Sequence, residues 1–146
     1  MSMSCYGHIA FGIPTTYEFN LREMLEGEDY EKNADAPEWD EIYYSKKSGT
    51  KCPDYKTDHD GWSKWLDEKR AYMEKCGIDM MLSGRDGDLG HNIIIKSTGL
   101  SSEWGEAVRI GSLEEKPEWK ESIKDFCETM GVPYQEPYWF LTSLYF

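Results

Sequence analysis

The sequence predicts an α+β domain with a ferredoxin-like βαββαβ order, the split βαβ arrangement. Two segments, 75–78 and 129–132, each join the end of an amphipathic stretch to a glycine and the start of an apolar run. The apolar runs 78–82 and 92–96 are separated by a Gly/Asp-rich loop, which is typical of a β-hairpin. Right-handed crossovers then predict an antiparallel sheet with two long helices on one face.

A strand is predicted at each end of this arrangement. In residues 4–13, the alternating side chains on both faces of the predicted strand are at most weakly polar, and Pro14 ends the segment. This pattern indicates a central strand. Residues 138–146, YWFLTSLYF, are apolar on both faces, so we expect a strand that is covered on both sides. The glycine-rich segment 98–111 is predicted to be a loop with a short strand at 108–110.

The two long helices are predicted from apolar spacing. Segment 61–76 follows Asp60, an N-cap candidate, and precedes Gly77, which suits a left-handed C-cap. Segment 117–130 begins at a proline and is followed by Gly131. The apolar stripes with three- and four-residue steps are Trp62, Trp65, Leu66, Lys69, Tyr72, Met73 and Cys76 in the first helix and Trp119, Ile123, Phe126, Cys127 and Met130 in the second. We expect Trp65 and Phe126 to pack beneath the hairpin.

Residues 14–60 are predicted to be an acidic, turn-rich insertion between the first strand and the first long helix, within a single domain that spans 1–146. A short helix is expected at 16–25. Segment 26–41 holds eight acidic residues against one lysine, which predicts an exposed loop because like charges repel. Trp39 lies near the end of this segment, and Tyr43 and Tyr44 follow it. These rings are expected to anchor the segment as a strand that reaches Ser45, over the second face of the sheet.

The charge balance limits the class of partner. Sixteen basic residues against 28 acidic ones leave a net charge of -12 in 146 residues. Such a chain is repelled by nucleic acid and by anionic membranes, and it attracts basic surfaces. No signal-peptide pattern and no apolar run of membrane-spanning length stands in the sequence, and the four scattered cysteines form no CxxC pair. We therefore expect a cytoplasmic protein with free thiols, no direct nucleic acid and no membrane; oligomeric state is left open.

Three patterns contain residue types that are found in chemical sites, but none carries a cofactor, metal or catalytic prediction. The loop with Asp86 and Asp88 departs from a calcium-binding loop because Gly90 and Ser97 stand at later ligand positions. The zinc-type pairs, Cys5 with His8 and Cys52 with His59, lack zinc spacing. The run Asp58, His59, Asp60 has no nucleophile beside it, and helix capping accounts for Asp60.

Two functions from different classes follow. We expect a non-catalytic acidic binding protein that engages a basic surface of a partner protein, and an inhibitor that mimics nucleic acid is one form of such a protein. Aromatic anchors surrounded by charge are typical of an interface. The candidate binding residues are Glu28, Asp29, Glu31, Glu38, Trp39, Asp40, Glu41, Tyr43 and Tyr44. The alternative is a small-ligand-binding protein or modest enzyme with a pocket between the sheet and the insertion. Its polar candidates are His8, His59, Tyr17 and Arg109.

Overall fold

The computed structural model describes residues 5–14, 37–85, 88–103 and 105–145, and within these ranges the protein is an α+β domain. Helices α1, α2 and α3 span Trp39–Ser48, His59–Cys76 and Pro117–Met130. Strands β1 to β5 span Cys5–Ile13, Ile78–Arg85, Asp88–Ile95, Leu100–Ser102 and Tyr138–Tyr145, with a 3-10 turn at Lys96–Thr98. The predicted α+β class is therefore confirmed, while the predicted helix at 16–25 lies outside the described residues.

The described strands form one mixed sheet in the order β3-β2-β5-β1-β4, with a further contact between β3 and β1. The antiparallel hairpin of β2 and β3 is confirmed, with Ile78 opposite Ile95 and Leu82 opposite His91. The finer ferredoxin-like prediction is not confirmed. The sheet has a fifth strand, β4, which pairs with β1, and the end of β2 runs parallel to the end of β5.

The hairpin of β2 and β3 crosses the face of the sheet that faces away from the helices. Near its base, β3 pairs with Gly12 and Ile13, at one end of β1. Near its tip, Gly84 pairs with Leu144, which is opposite Tyr6 at the other end of β1. The buried side chains between hairpin and sheet are Ala10, Met81 and Ile94, with Phe140 packed against them. Within the part of the chain that the structure describes, the hairpin therefore covers this face.

All three described helices contribute to the core on the opposite face, which is centred on Phe11, Ile123 and Phe126. Segment 39–48 is a helix here, so the loop and strand predicted over it are wrong. Trp39 and Tyr43 lie on this helical side, with ring centroids 5.8 and 5.0 Å from Phe126. Acids in the first turn of α1 and lysines in its last turn favour the helix through its dipole.

The 3-10 turn lets β4 continue along the edge of β1 where β3 leaves it. Gly12 is opposite Ile94 and Ile9 is opposite Leu100. The segment from β3 to β4 therefore has three more residues than the stretch of β1 that it faces. The Thr98 hydroxyl bridges the interruption, because it accepts a hydrogen bond from Phe11 N at 3.0 Å and donates to Ile95 O at 2.6 Å. The buried backbone groups at this offset are thereby satisfied.

Three smaller predictions also change. Asp58 rather than Asp60 caps α2, because its carboxylate accepts from Gly61 N at 3.0 Å. No strand forms at 108–110, and the short strand lies at Leu100–Ser102 instead. β5 is not covered on both sides, since Leu141 is 78% exposed. By contrast, Gly77 and Gly131 adopt the left-handed C-cap conformation that the sequence predicted.

Candidate functional site

Six of the nine predicted binding residues lie in the described part of the chain. Glu28, Asp29 and Glu31 fall outside it, as does Tyr17 of the alternative prediction. Glu38 is exposed immediately before α1, and the other five lie on this helix. The helix therefore decides which of these side chains reach solvent and which turn towards the protein.

Tyr43 and Tyr44 hold α1 against the core and present little surface to a partner. Tyr43 is 1% exposed, and its hydroxyl donates a hydrogen bond to Asp125 Oδ2 on α3 at 2.9 Å. Tyr44 packs edge-on against Trp65 of α2, with ring centroids 5.1 Å apart. The two rings are the structural support of α1 rather than its exposed anchors.

An open cleft of about 570 Å³ lies between the start of α1 and helix α2, and one of its walls is formed by Glu38, Trp39, Asp40 and Glu41. The start of β2 and the 3-10 turn close the cleft at its end. The remaining lining residues are Leu66, Lys69, Arg70, Met73, Glu74, Ile78, Asp79 and Lys96. Since five of the lining side chains are carboxylic acids and three are basic, the cleft carries a net negative charge.

An ion pair joins the two walls of this cleft. Lys69 Nζ on α2 lies 3.0 Å from Asp40 Oδ2 on α1. Asp40 also accepts a hydrogen bond through Oδ1 from the backbone N–H of Glu41 at 2.8 Å. Both carboxylate oxygens of Asp40 therefore have partners, and its negative charge is partly balanced within the protein.

The negative charge of Glu41 is stabilised less than that of its neighbour Asp40. Burial raises the pKa of the Glu41 carboxyl, and nearby Lys69 opposes that shift. The Cys52 thiol lies in the same neighbourhood, where burial and then the charge of Glu41 raise its pKa. A cation that entered the cleft would favour the ionised form of Glu41, since an opposite charge stabilises a carboxylate.

A cluster of three aromatic rings, which the sequence reasoning did not identify, lies at the amino-terminal end of α2. Tyr55, His59 and Trp62 contact one another, with ring centroids 4.9, 4.8 and 5.7 Å apart. Tyr55 and the His59 side chain are 55% and 62% exposed, and Trp62 is half-buried beside them. The spacing of four and then three residues is a sequence signal for a shared face, but Trp62 also fits the apolar stripe of α2, which hides this signal.

The remaining chemical candidates do not converge in the described part of the chain. His8 Nδ1 lies 2.8 Å from Ser101 Oγ across β1 and β4, and burial lowers the pKa of this imidazole. His59 and Asp60 are both exposed, 4.0 Å apart. Among the described residues, no three histidine, cysteine or acidic side chains group in a way that would hold a metal ion. The loop with Asp86 and Asp88 includes residues 86 and 87, which are not described.

Comparisons with known proteins were made by family, by sequence and by structure. No protein-family model matches the chain, and no curated protein and no solved structure matches it at a significant level. Among the helices that the structure describes, none combines the length and the apolar content needed to cross a membrane.

Proposed function

We propose that this protein is a non-catalytic binding protein whose acidic cleft receives basic side chains from a partner protein. The observation that carries the proposal is the convergence of Glu38, Asp40 and Glu41 on one concave site, together with acids from α2 and β2. Carboxylates around a concave site attract cations, and a concave site loses less affinity to solvent screening than a flat surface does. The net charge of -12 acts in the same direction over longer distances.

Lys69 supports the proposal because its own ammonium group already lies against the Asp40 carboxylate. The cleft therefore stabilises one basic side chain in the folded protein itself. Among the described residues, the lining acids without an ion pair are Glu38, Glu41, Glu74 and Asp79. They are the groups that we expect a partner's lysine or arginine to contact. The negative charge of the chain further suggests that this protein competes with nucleic acid for the same basic partner.

The proposal is tested with hexalysine amide as the probe, by isothermal titration at low and at physiological salt. Glu38→Lys places a repelling charge at the cleft, and we expect it to weaken binding about tenfold. Glu121→Lys is the matched control, since Glu121 is an exposed acid on α3 that does not line the cleft. Equal weakening by both variants would mean that only net charge attracts the peptide, and the proposal would fail.

A small cationic ligand is the second candidate, and one observation favours it. The cleft volume of about 570 Å³ lies within the usual range for small-molecule sites, which is about 300–1,000 Å³. Apolar side chains of Trp39, Leu66 and Met73 line it beside the charges. Spermidine in the same titration distinguishes the two candidates. Tighter binding of spermidine than of hexalysine, with loss on Glu38→Lys, would favour the small ligand.

A further inference from the structure

The aromatic cluster of Tyr55, His59 and Trp62 is an exposed surface that the folded chain does not use as core. His59 has a side chain that is 62% exposed, and the neighbouring Asp60 carboxylate is fully exposed. The three ring centroids lie 4.8 to 5.7 Å apart, so the half-buried Trp62 supports the exposed rings of Tyr55 and His59. The faces of aromatic rings carry the negative part of the ring quadrupole and attract cations.

The backbone around the cluster is held by hydrogen bonds before any ligand arrives. Asp54 Oδ1 accepts from Lys56 N at 2.7 Å and from Thr57 N at 3.2 Å. Asp58 N donates to Asp54 O at 2.9 Å, and Trp62 N donates to Asp58 O at 3.0 Å. These bonds fix the turn that carries Tyr55 against the first turn of α2. A partner would therefore lose little affinity to the cost of ordering this surface.

The cluster and the acidic cleft lie along the same face of α2. Trp62, Leu66, Lys69 and Met73 follow one another at steps of four, three and four residues, which places them on one side of the helix. Leu66, Lys69 and Met73 line the cleft, whereas Trp62 belongs to the cluster. At the rise of an α-helix, the seven residues from Trp62 to Lys69 span about 10 Å.

We infer that the aromatic cluster is a second subsite, which takes the guanidinium group of an arginine from the same basic segment that enters the cleft. The inference rests on the proposed function, because the cleft binds the first basic side chain. A guanidinium plane stacks on aromatic faces and also forms hydrogen bonds with a carboxylate, here that of Asp60. In an extended segment, about 10 Å corresponds to about three residues. The partner therefore carries two basic residues with two others between them.

The test uses three blocked peptides of equal charge, in which two arginines are separated by no glycine, by two glycines or by five glycines. We expect the peptide with two glycines to bind the wild-type protein about tenfold more tightly than the other two. Tyr55→Ala removes one ring of the second subsite, and the advantage of that spacing should disappear. Tyr134→Ala is the control, since Tyr134 is a partly exposed tyrosine outside the cluster. Thermal melts establish that each variant is folded.

The outcomes separate this inference from the proposed function. If the three peptides bind equally and Tyr55→Ala has no effect, while Glu38→Lys weakens all three, the second subsite is wrong and the cleft stands. If Tyr55→Ala weakens binding and Glu38→Lys does not, the two-subsite inference fails together with the cleft. If no peptide binds at a physiological salt concentration, both fail. Only loss of the spacing preference on Tyr55→Ala, together with weakening on Glu38→Lys, supports the inference.

Discussion

Lys69 on α2 and Asp40 on α1 form an ion pair of 3.0 Å inside the acidic cleft, with side chains that are 14% and 23% exposed. A pair this far from solvent is screened less than one on an open surface. The pair therefore has two roles in our account. It holds the walls of the cleft together, and its lysine competes with the basic side chains of a partner for the carboxylates.

The first prediction concerns Lys69→Met. Removing this cation leaves Asp40 and Glu41 available to a ligand, so we expect the affinity for hexalysine to rise about tenfold. The free energy of unfolding should fall by about 1–2 kcal/mol, between the values for exposed and for buried pairs. Titration and urea unfolding measure the two effects. Lys64→Met, at an exposed lysine paired with Glu68, is the control, and unchanged affinity in Lys69→Met would contradict the prediction.

The second prediction concerns Phe126→Ala. Phe126 is fully buried and its ring contacts those of Trp39 and Tyr43, so the truncation leaves a cavity between α1 and α3. We expect a loss of about 3–5 kcal/mol in the free energy of unfolding, measured by urea denaturation. Leu141→Ala is the matched control, because Leu141 is largely exposed and its loss should change stability by less than about 0.5 kcal/mol.

The third prediction is a pH dependence at Asp125. The hydrogen bond from Lys47 Nζ at 2.9 Å holds the pKa of the Asp125 carboxyl below its usual value, and burial opposes this. A lowered pKa in the folded state contributes stability above the pKa of the unfolded state, and that stability is lost as the pH falls through the folded value.

Asp125→Asn should therefore be less stable than the wild type at neutral pH, and the difference should shrink as the solution is acidified. Because the Asp125 side chain is 47% exposed, we expect a difference of no more than about 1 kcal/mol. Thermal melts over a pH series measure it. A difference that stays constant down to strongly acidic pH would show that the charge of Asp125 contributes nothing.

The fourth prediction concerns the start of α2, where Gly61 and Asp58 depend on each other. A methyl group at position 61 would overlap the Asp58 carboxylate that accepts the hydrogen bond from Gly61 N. Gly61→Ala in the wild type should therefore destabilise the protein by about 1 kcal/mol through loss of the cap. In an Asp58→Ala background the overlap is gone, and alanine should then stabilise the helix by up to about 1 kcal/mol. A change of the same sign in both backgrounds would contradict the prediction.

The sequence alone predicted those elements whose residues interact locally. The helix at 117–130, the hairpin of β2 and β3 and the C-caps at Gly77 and Gly131 appear as predicted. Each depends on neighbours within a few residues: a stripe at helical spacing, a proline at the first turn, or a glycine after the last. The signal in such cases is complete within a short stretch of chain.

Segment 39–48 shows where local reasoning failed. Its acids indicated repulsion, but the helix satisfies Asp40 through Lys69, which is distant in sequence, and buries Tyr43 against Phe126. Because of these distant contacts, the predicted binding residues Glu38, Asp40 and Glu41 lie in one wall of a cleft. Sequence spacing on a single segment contains no information about these partners.

What the sequence by itself determined was the α+β class, the hairpin, the two long helices and the excess of negative charge. What only the tertiary structure decided was the path of the hairpin across the sheet, the parallel contact of β2 with β5, and the meeting of α1 with α2 around the acidic cleft. The physical reason is that periodicity and capping are properties of neighbouring residues. Strand order and the lining of a cleft depend instead on which buried surfaces fit together across the whole chain.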